Sequence, residues 1–177
     1  PIIAFVNRLA KDFPDKTIST LAYTYSRKAP KILIPEKNVQ IMLCTIEENR
    51  NITIEEARQR NINGSFAQDL IDWGKKTNNI FLWDYEVDFA YSVSPFPNIH
   101  TLQPNIQFFV KNNAFEQFQQ ANSETGHEFS ELKTYLISKL LWNPNVNEDS
   151  IINEFLNGYY GKAGKEIRNY IDDIEKV

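Results

Sequence analysis

Four short apolar runs, separated by longer stretches, constrain the fold of this chain more than any other feature. They cover residues 17–25, 39–46, 80–85 and 114–119, and most are rich in β-branched and aromatic residues. Residues 80–83 (IFLW) carry no charge, which is typical of a strand buried on both faces. Strands joined by crossover connections are parallel, and parallel strands need helices to cover them. The runs therefore predict one parallel sheet with helices packed on it.

The stretches around these runs show the apolar periodicity of amphipathic helices. Ser65 with Gln68 and Thr125 with Glu128 have the spacing of capping boxes, which mark helix starts. Residues 102–112 are ambiguous, because their apolar centre alone would suit a strand, but the order of the neighbouring elements favours a helix. The predicted helices cover residues 2–12, 65–77, 102–112, 125–143, 151–161 and 163–174.

The order of these elements fits two α/β architectures. Four parallel strands can form a small open doubly wound sheet, or half of an eight-stranded barrel, whose usual length is about 250 residues. The chain begins at Pro1 inside a predicted helix, which favours half a barrel and a natural start further upstream. We expect residues 1–144 to form half a (β/α)8 barrel, and residues 145–177 to form a helical pair packed on it.

Composition argues against several classes of function. The chain has 177 residues, a net charge of −4 and a pI near 5.3, and its basic residues form no stripe, so we expect no nucleic-acid partner. The sequence contains no run of about 18 apolar residues, so no membrane span is predicted. Cys44, the single cysteine, lies in an apolar run and is predicted to be a core residue. His100 and His127 are too isolated to predict a metal site, and we expect no cofactor.

The end of the third run predicts a ligand site. Asp84, Tyr85 and Glu86 follow the apolar residues directly and precede a long loop with two prolines. Parallel α/β proteins bind ligands on loops at the carboxyl ends of their strands. The alternative interpretation is a solvated acidic turn at the rim of the sheet.

Aromatic residues make up 13% of the chain, and most of them must belong to the core. Trp73 and Trp142 fall on helical apolar stripes, which predicts that both are core residues. Tyr25, Trp83 and Tyr85 are candidates for a stacking surface that would suit flat ligands such as the faces of sugar rings. Because alternate residues of a strand point in opposite directions, not every aromatic side chain can contribute to it.

Several segments from Trp73 onward form recognisable motifs. Together they resemble a family of glycoside-hydrolase-like domains of unknown function from secreted proteins of polysaccharide-degrading gut bacteria. The similarity is strongest over residues 73–170, and its two most specific parts are the long helical motif and the Tyr-Tyr-Gly turn. The motifs are Trp73, LWDY at 82–85, SPFPNIHTL at 94–102, AFEQF at 114–118, ELKTYLISKLLWNP at 131–144 and NGYYGKAG at 157–164.

The resemblance implies the carboxyl-terminal half of a (β/α)8 barrel with a short helical appendage. It also implies a carbohydrate ligand and a secreted protein, located in the periplasm or outside the cell. The related hydrolases carry their proton-donating carboxylate on the fourth strand of the barrel, which would lie upstream of Pro1. Half a barrel leaves two bare sheet edges, so the missing half or a second copy of the chain is expected to cover them.

Within that interpretation, Asp84 and Glu116 are the candidates for a catalytic carboxyl pair. Glycoside cleavage needs two carboxyl groups about 5 to 9.5 Å apart, one on each side of the bond. We expect Asp84 and Glu116 to gather with Tyr85 at the carboxyl end of the strands, with Tyr25 nearby. The alternative is that each carboxylate only forms hydrogen bonds with sugar hydroxyls or backbone. The expected substrate-binding residues are Tyr25, Trp83, Tyr85 and Glu86.

Three functions remain as hypotheses. The first is a barrel domain that binds and hydrolyses a complex glycan, and the second is a carbohydrate-binding or structural barrel without catalysis. The third is an independent flavodoxin-like domain, which needs a loop rich in glycine, serine or threonine after its first strand. The loop present is SRKAPK at residues 26–31, which is basic and contains proline, so the third function is disfavoured.

Overall fold

In a computed structural model of the chain, four parallel strands form one sheet with helices around it. The structure describes residues 2–62, 66–91, 93–121 and 126–176. The strands lie side by side in chain order, which confirms the predicted α/β sheet and is consistent with half a barrel. They are β1 Ile18–Ala22, β2 Val39–Cys44, β3 Ile80–Tyr85 and β4 Glu116–Gln120.

The helices cover most of the remaining chain, and two short 3-10 turns accompany them. These turns are Thr24–Ser26, directly after β1, and Gly161–Ala163. The helices are α1 Ile2–Asp12, α2 Ile54–Gln59, α3 Phe66–Gly74, α4 Ile99–Lys111, α5 Ser130–Trp142, α6 Glu148–Tyr160 and α7 Gly164–Ile174.

The sheet has one face that helices cover and one face that is more exposed. Ile41 pairs with Ile80 between β2 and β3, and this register aligns their buried side chains. We call the side occupied by Ile41, Leu43, Ile80 and Leu82 the covered face, because these four residues belong to a core shared with α1 and α3. The alternate residues form the open face, which includes Leu21, Met42, Trp83 and Phe118.

The chain forms two compact units, each with its own apolar core. Unit 1 contains β1 to β3 with α1, α2 and α3. Unit 2 contains α5, α6 and α7 and the segment that follows β3. Unit 1 consists of Pro1–Asn49, Ile54–Tyr85 and Phe108–Phe118, and unit 2 of Arg50–Thr53, Glu86–Gln107 and Gln119–Val177.

The core of unit 1 is built by α3 on the covered face of the sheet. Phe66, Leu70 and Trp73 lie at helical spacing and are fully buried. The ring of Phe66 meets Phe109 edge to face, with ring centroids 6.3 Å apart. Burial of each such side chain contributes about 1.5–3 kcal/mol, so α3 anchors the sheet.

The turn between α6 and α7 in unit 2 explains two glycines of the NGYYGKAG motif. Gly161 ends α6 with a positive φ of 54°, a backbone conformation that favours glycine. At Gly164 an added Cβ would lie 2.7 Å from the carbonyl oxygen of Leu156, so only glycine fits there. This close approach lets α7 fold back on α6.

Several predicted elements are displaced in the structure. The first strand ends at Ala22 instead of residue 25, because the chain turns at Thr24–Ser26 and the Ser26 hydroxyl bonds the Tyr23 backbone. Helix α4 begins at Ile99, so Pro104 lies inside the helix and not in its first turn. Helix α2 was missed, since only two of its six residues are buried and its sequence resembles a polar loop.

Two further sets of predictions concern the tryptophans Trp73 and Trp142 and the capping boxes. Trp73 is buried as predicted, whereas the core prediction for Trp142 is wrong, because this last residue of α5 is 93% exposed. The capping boxes include Ser65 and Thr125, which lie outside the described residues. No helix in the described ranges is long and apolar enough to cross a membrane.

Candidate functional site

Asp84 is a buried carboxylate near the end of β3 with one unsatisfied oxygen. Its side chain is 2% exposed and lies on the covered face, beyond Leu82. Its Oδ1 accepts a hydrogen bond of 2.5 Å from the Thr45 hydroxyl and another of 3.0 Å from the Tyr85 amide. Its Oδ2 has no hydrogen-bond partner among the described residues. A buried polar atom without a partner is uncommon in folded proteins, so this carboxylate is unusual.

Glu116, the other predicted catalytic residue, lies elsewhere. It is the first residue of β4, it is exposed, and its Oε2 accepts a hydrogen bond of 2.8 Å from Gln40 Nε2. Gln40 stands near the start of β2, and its Oε1 accepts a hydrogen bond of 2.8 Å from the Ser19 hydroxyl. These three polar side chains therefore line the amino half of the open face.

The expectation that Asp84 and Glu116 gather must be corrected. Glu116 shares a face with Phe118, whose ring contacts Trp83, and Trp83 points away from the side of Asp84. The two carboxylates consequently lie on opposite faces of the sheet. Carboxyl groups separated in this way do not flank a common glycosidic bond.

The structure brings together three aromatic residues on the open face, which we call the aromatic cluster. Trp83 and Tyr85 stack with ring centroids 6.2 Å apart and an interplanar angle of 22°. Phe118 of β4 meets Trp83 edge to face at 5.0 Å and is 44% exposed. Sequence reasoning named Trp83 and Tyr85, but it missed Phe118, because nothing in the sequence gives the register between β3 and β4.

Tyr25 lies apart from β1, in the 3-10 turn that follows it, and is 91% exposed. Its side chain lines a cavity of about 460 Å³ in unit 1, together with Leu21, Lys28 and Trp73. The cavity wall is mainly apolar. Tyr25 is thus accessible to a ligand, but the shortened strand places it outside the sheet.

Arg27 is the centre of a buried charge cluster after β1. It is 6% exposed, and its Nε and Nη1 donate hydrogen bonds of 2.8 Å to Asp69 and Glu47. Trp73 Nε1 donates a hydrogen bond of 2.7 Å to the Arg27 carbonyl. Burial raises the pKa of Asp69, although the Arg27 guanidinium acts in the opposite direction. These bonds hold the loop after β1 against α3, which is a structural role.

A second group of buried polar residues lies in unit 2, and sequence reasoning missed most of it. Glu86 and Lys133 are 2% and 3% exposed, and His127 is also buried. Asn98 Nδ2 donates a hydrogen bond of 2.5 Å to Glu86 Oε2. Burial lowers the pKa of Lys133 to about 8, while the charges of Glu128 and Glu86 oppose this change. The available signal was that Lys133 precedes Leu136 and Leu140 at the apolar spacing of α5.

Two other kinds of site find no support. Cys44 is buried as predicted, and burial raises the pKa of its thiol to about 11, so the reactive thiolate is disfavoured. Within the described ranges, no group of three or more acidic, histidine or cysteine side chains is arranged to hold a metal ion.

Most of the chain matches one known protein family. The model of one family, described as a domain of unknown function (DUF4838), matches residues 1–172. No curated protein and no solved structure shows significant similarity to the chain. The matched range includes residues of both compact units.

Proposed function

The chain belongs to the DUF4838 family, and we propose that it binds carbohydrate through the aromatic cluster on the open face of its sheet. The observation that carries this proposal is the stacked pair of Trp83 and Tyr85 with Phe118 across its edge. A sugar ring presents a face of C–H groups, which packs well against a flat aromatic ring. Large aromatic surfaces of this kind contribute much of the binding energy in ligand sites.

The polar residues of the same face supply the second requirement for carbohydrate binding. Ser19, Gln40 and Glu116 form a chain of hydrogen bonds beside the aromatic cluster. Their hydroxyl, amide and carboxylate groups together offer donors and acceptors for sugar hydroxyls. Glu116 thereby receives a ligand-contacting role, and the proposal assigns it no proton transfer.

The proposal is limited to binding. Hydrolysis by Asp84 and Glu116 would require both carboxyl groups on one side of the sheet, and they lie on opposite sides. The resemblance to glycoside hydrolases supports a carbohydrate as the ligand, and a secreted location in the periplasm or outside the cell belongs to the same proposal.

A partner that continues the sheet is also part of the proposal. β1 and β4 are the edge strands, and an edge strand exposes unpaired backbone groups to other chains. Leu21 is half exposed on the open face next to the β1 edge. The missing half of a barrel, or a second copy of this chain, would cover this edge and enclose the open face.

Truncation of the aromatic cluster tests the proposal. We expect Trp83→Ala and Phe118→Ala each to weaken binding to neutral oligosaccharides about tenfold, because each removes an aromatic contact of about 1 kcal/mol or more. Binding is measured by isothermal titration against gluco-, xylo-, manno- and galacto-oligosaccharides. Trp142→Ala is the matched control, since Trp142 is a highly exposed aromatic residue on α5. If the Trp83 and Phe118 variants bind as the wild type does, the aromatic cluster is not the site.

A further inference from the structure

Unit 2 contains a small polar cavity, lined in part by residues that follow the carboxyl ends of β3 and β4 in the chain. Glu86 follows β3 directly, and its amide donates a hydrogen bond of 2.9 Å to the carbonyl of Gln120, the last residue of β4. Glu86, His127, Glu128 and Lys133 line the cavity. Parallel sheets bind ligands at this end of their strands, so the position is that of a functional site.

Lys133 is the cation of this cavity and has more donors than partners. Its ammonium group has three N–H donors, and it forms one hydrogen bond, of 3.2 Å, to the carbonyl of Phe96 among the described residues. Glu86 and Glu128 act on it through their charges rather than through side-chain hydrogen bonds. A buried ammonium in this state has donors left for an incoming oxygen atom.

Phe96 fixes the position of Lys133 and Glu128. Its amide donates a hydrogen bond of 2.7 Å to Glu128 Oε2, and its carbonyl accepts the bond from Lys133. Its ring lies 5.1 Å from the Lys133 ammonium, close enough for a cation–π interaction. Asn98 orients Glu86 through the hydrogen bond that its Nδ2 donates to Glu86 Oε2. The polar groups around the cavity are therefore held before any ligand arrives.

The size of the cavity limits what can enter it. Its volume is about 10 Å³, close to the minimum of about 10–15 Å³ that one water molecule needs. A sugar ring does not fit this space. A single hydroxyl group at the end of a larger ligand is close to the size of one water molecule and does fit, and Asp88 and Tyr91 also line the cavity.

The charges around the cavity select the kind of group. Glu86, Glu128 and Asp88 repel a carboxylate or phosphate, and Lys133 repels an ammonium group. A hydroxyl is neutral, and it can accept a hydrogen bond from Lys133 while it donates one to Glu86. Of the common ligand groups, the hydroxyl is the one that satisfies both sides.

We infer that Lys133 and Glu86 form a hydroxyl-binding site in unit 2, which takes one hydroxyl group of a neutral carbohydrate. This inference rests on the proposed function for its ligand class, and it adds a specificity determinant: a sugar is recognised by one hydroxyl held between a cation and a carboxylate. The site is separate from the aromatic cluster of unit 1 and has its own reporter residue.

One titration tests both sites independently. Protein with ¹³C-labelled lysine and ¹⁵N-labelled tryptophan is titrated with gluco-, xylo-, manno- and galacto-oligosaccharides, and NMR follows the Cε signal of Lys133 and the indole signal of Trp83. Lys133→Met and Trp83→Phe assign these two signals. We expect at least one sugar to move the Lys133 signal and to raise the pKa of Lys133, because a hydroxyl that accepts its hydrogen bond stabilises the ammonium form.

The variants sharpen this test. We expect Lys133→Met to weaken binding of that sugar about tenfold or more, as loss of a hydrogen bond to a charged group predicts. Lys139→Met is the matched control, because Lys139 lies on the same helix and near the ring of Tyr135 but is exposed. The deoxy analogue that lacks the recognised hydroxyl should bind the wild type as weakly as the parent sugar binds Lys133→Met.

Each outcome of the titration has a distinct meaning. A shift at Trp83 without any change at Lys133 overturns the hydroxyl site, leaves the cavity to a structural water and preserves the proposed function. A shift at Lys133 without one at Trp83 supports the hydroxyl site and overturns the role of the aromatic cluster. No shift at either residue overturns both. If Lys133→Met fails to fold, Lys133→Arg, which keeps the positive charge, assigns the Lys133 signal, and the wild-type protein still gives these answers.

Discussion

Arg27 in unit 1 and Lys133 in unit 2 are both almost fully buried cations, yet their surroundings differ. Arg27 donates hydrogen bonds of 2.8 Å to two carboxylates, Asp69 and Glu47. Lys133 donates one hydrogen bond to a backbone carbonyl, and Glu86 and Glu128 act on it through their charges rather than through side-chain hydrogen bonds. The same type of charge is thus neutralised locally in one unit and left partly unsatisfied in the other.

This difference separates a structural charge from one that can serve a ligand. The planar guanidinium of Arg27 has a fixed fork of donors, which suits several directional bonds at once. Once those bonds are formed, it has little capacity for a ligand. Burial lowers the pKa of Lys133 to about 8, and such perturbed groups in a cleft are candidates for function. Stability measurements can test the comparison.

Removal of Arg27 should give the largest effect. We expect Arg27→Met to lower the free energy of unfolding by about 3–5 kcal/mol, because it leaves the buried carboxylate of Asp69 without its cation. Urea denaturation at pH 7 measures the change. The control is Arg8→Met, which removes an exposed arginine of α1 and should change stability by less than about 0.5 kcal/mol. A loss below about 1 kcal/mol for Arg27→Met would contradict a structural role for this cluster.

Lys133 should give the next largest effect, visible as a dependence on pH. The folded protein releases the Lys133 proton near pH 8, whereas the unfolded chain holds it up to about 10.5. Between these values the unfolded state binds more protons, so stability rises with pH. The difference between the two pKa values of Lys133 corresponds to a change of about 3 kcal/mol in the free energy of unfolding. Because methionine does not titrate, Lys133→Met should lack this rise.

The comparison for Lys133 is made by denaturation from pH 7 to pH 10.5 in the wild type and the two lysine variants. Lys139→Met should keep the rise, since Lys139 is exposed. Glu86, Glu128, Asp88 and His127 face the same cavity and are present in all three proteins, so the difference between wild type and Lys133→Met reports the titration of Lys133. If the difference in the free energy of unfolding between wild type and Lys133→Met does not change with pH, Lys133 is solvated in solution.

Glu148 should give the smallest effect and extends the comparison within unit 2. Burial, and then the charge of Asp149, raise the pKa of this carboxyl to about 7. The folded state therefore holds its proton longer than the unfolded state, and stability falls as the pH rises from 4.5 to 7. We expect Glu148→Gln to be more stable than wild type by about 1 kcal/mol at pH 8 and equal to it at pH 4, because Glu148 is only partly buried and solvent screening reduces the effect below that of Lys133. Glu166→Gln, at an exposed first-turn glutamate of α7, should show no such gain.

The elements with long apolar patterns could be predicted from the sequence, and those stabilised by a few contacts could not. Helix α1 and the strands β2 and β3 lie within one or two residues of their predicted positions, because each carries a continuous or periodic apolar signal. Helix α2 has two buried residues among charged ones, so its helicity depends on tertiary packing.

The candidate site shows a similar division. The end of β3 could be identified as a site candidate, because its acidic and aromatic residues follow a buried run. Residues contributed by distant segments could not be identified: Phe118 of β4 contacts Trp83, and Lys133 of α5 lines the same cavity as Glu86. Their sequence separation from β3 leaves no local pattern that links them.

The sequence by itself determined the parallel sheet and the opposite directions of Trp83 and Asp84, since these follow from local patterns of length and alternation. Tertiary structure alone decided which residues from different strands share a face, and so separated Asp84 from Glu116. It also decided the burial of Lys133, which on sequence alone is an ordinary helical lysine. Register and burial depend on contacts between segments far apart in the chain, and no single segment contains that information.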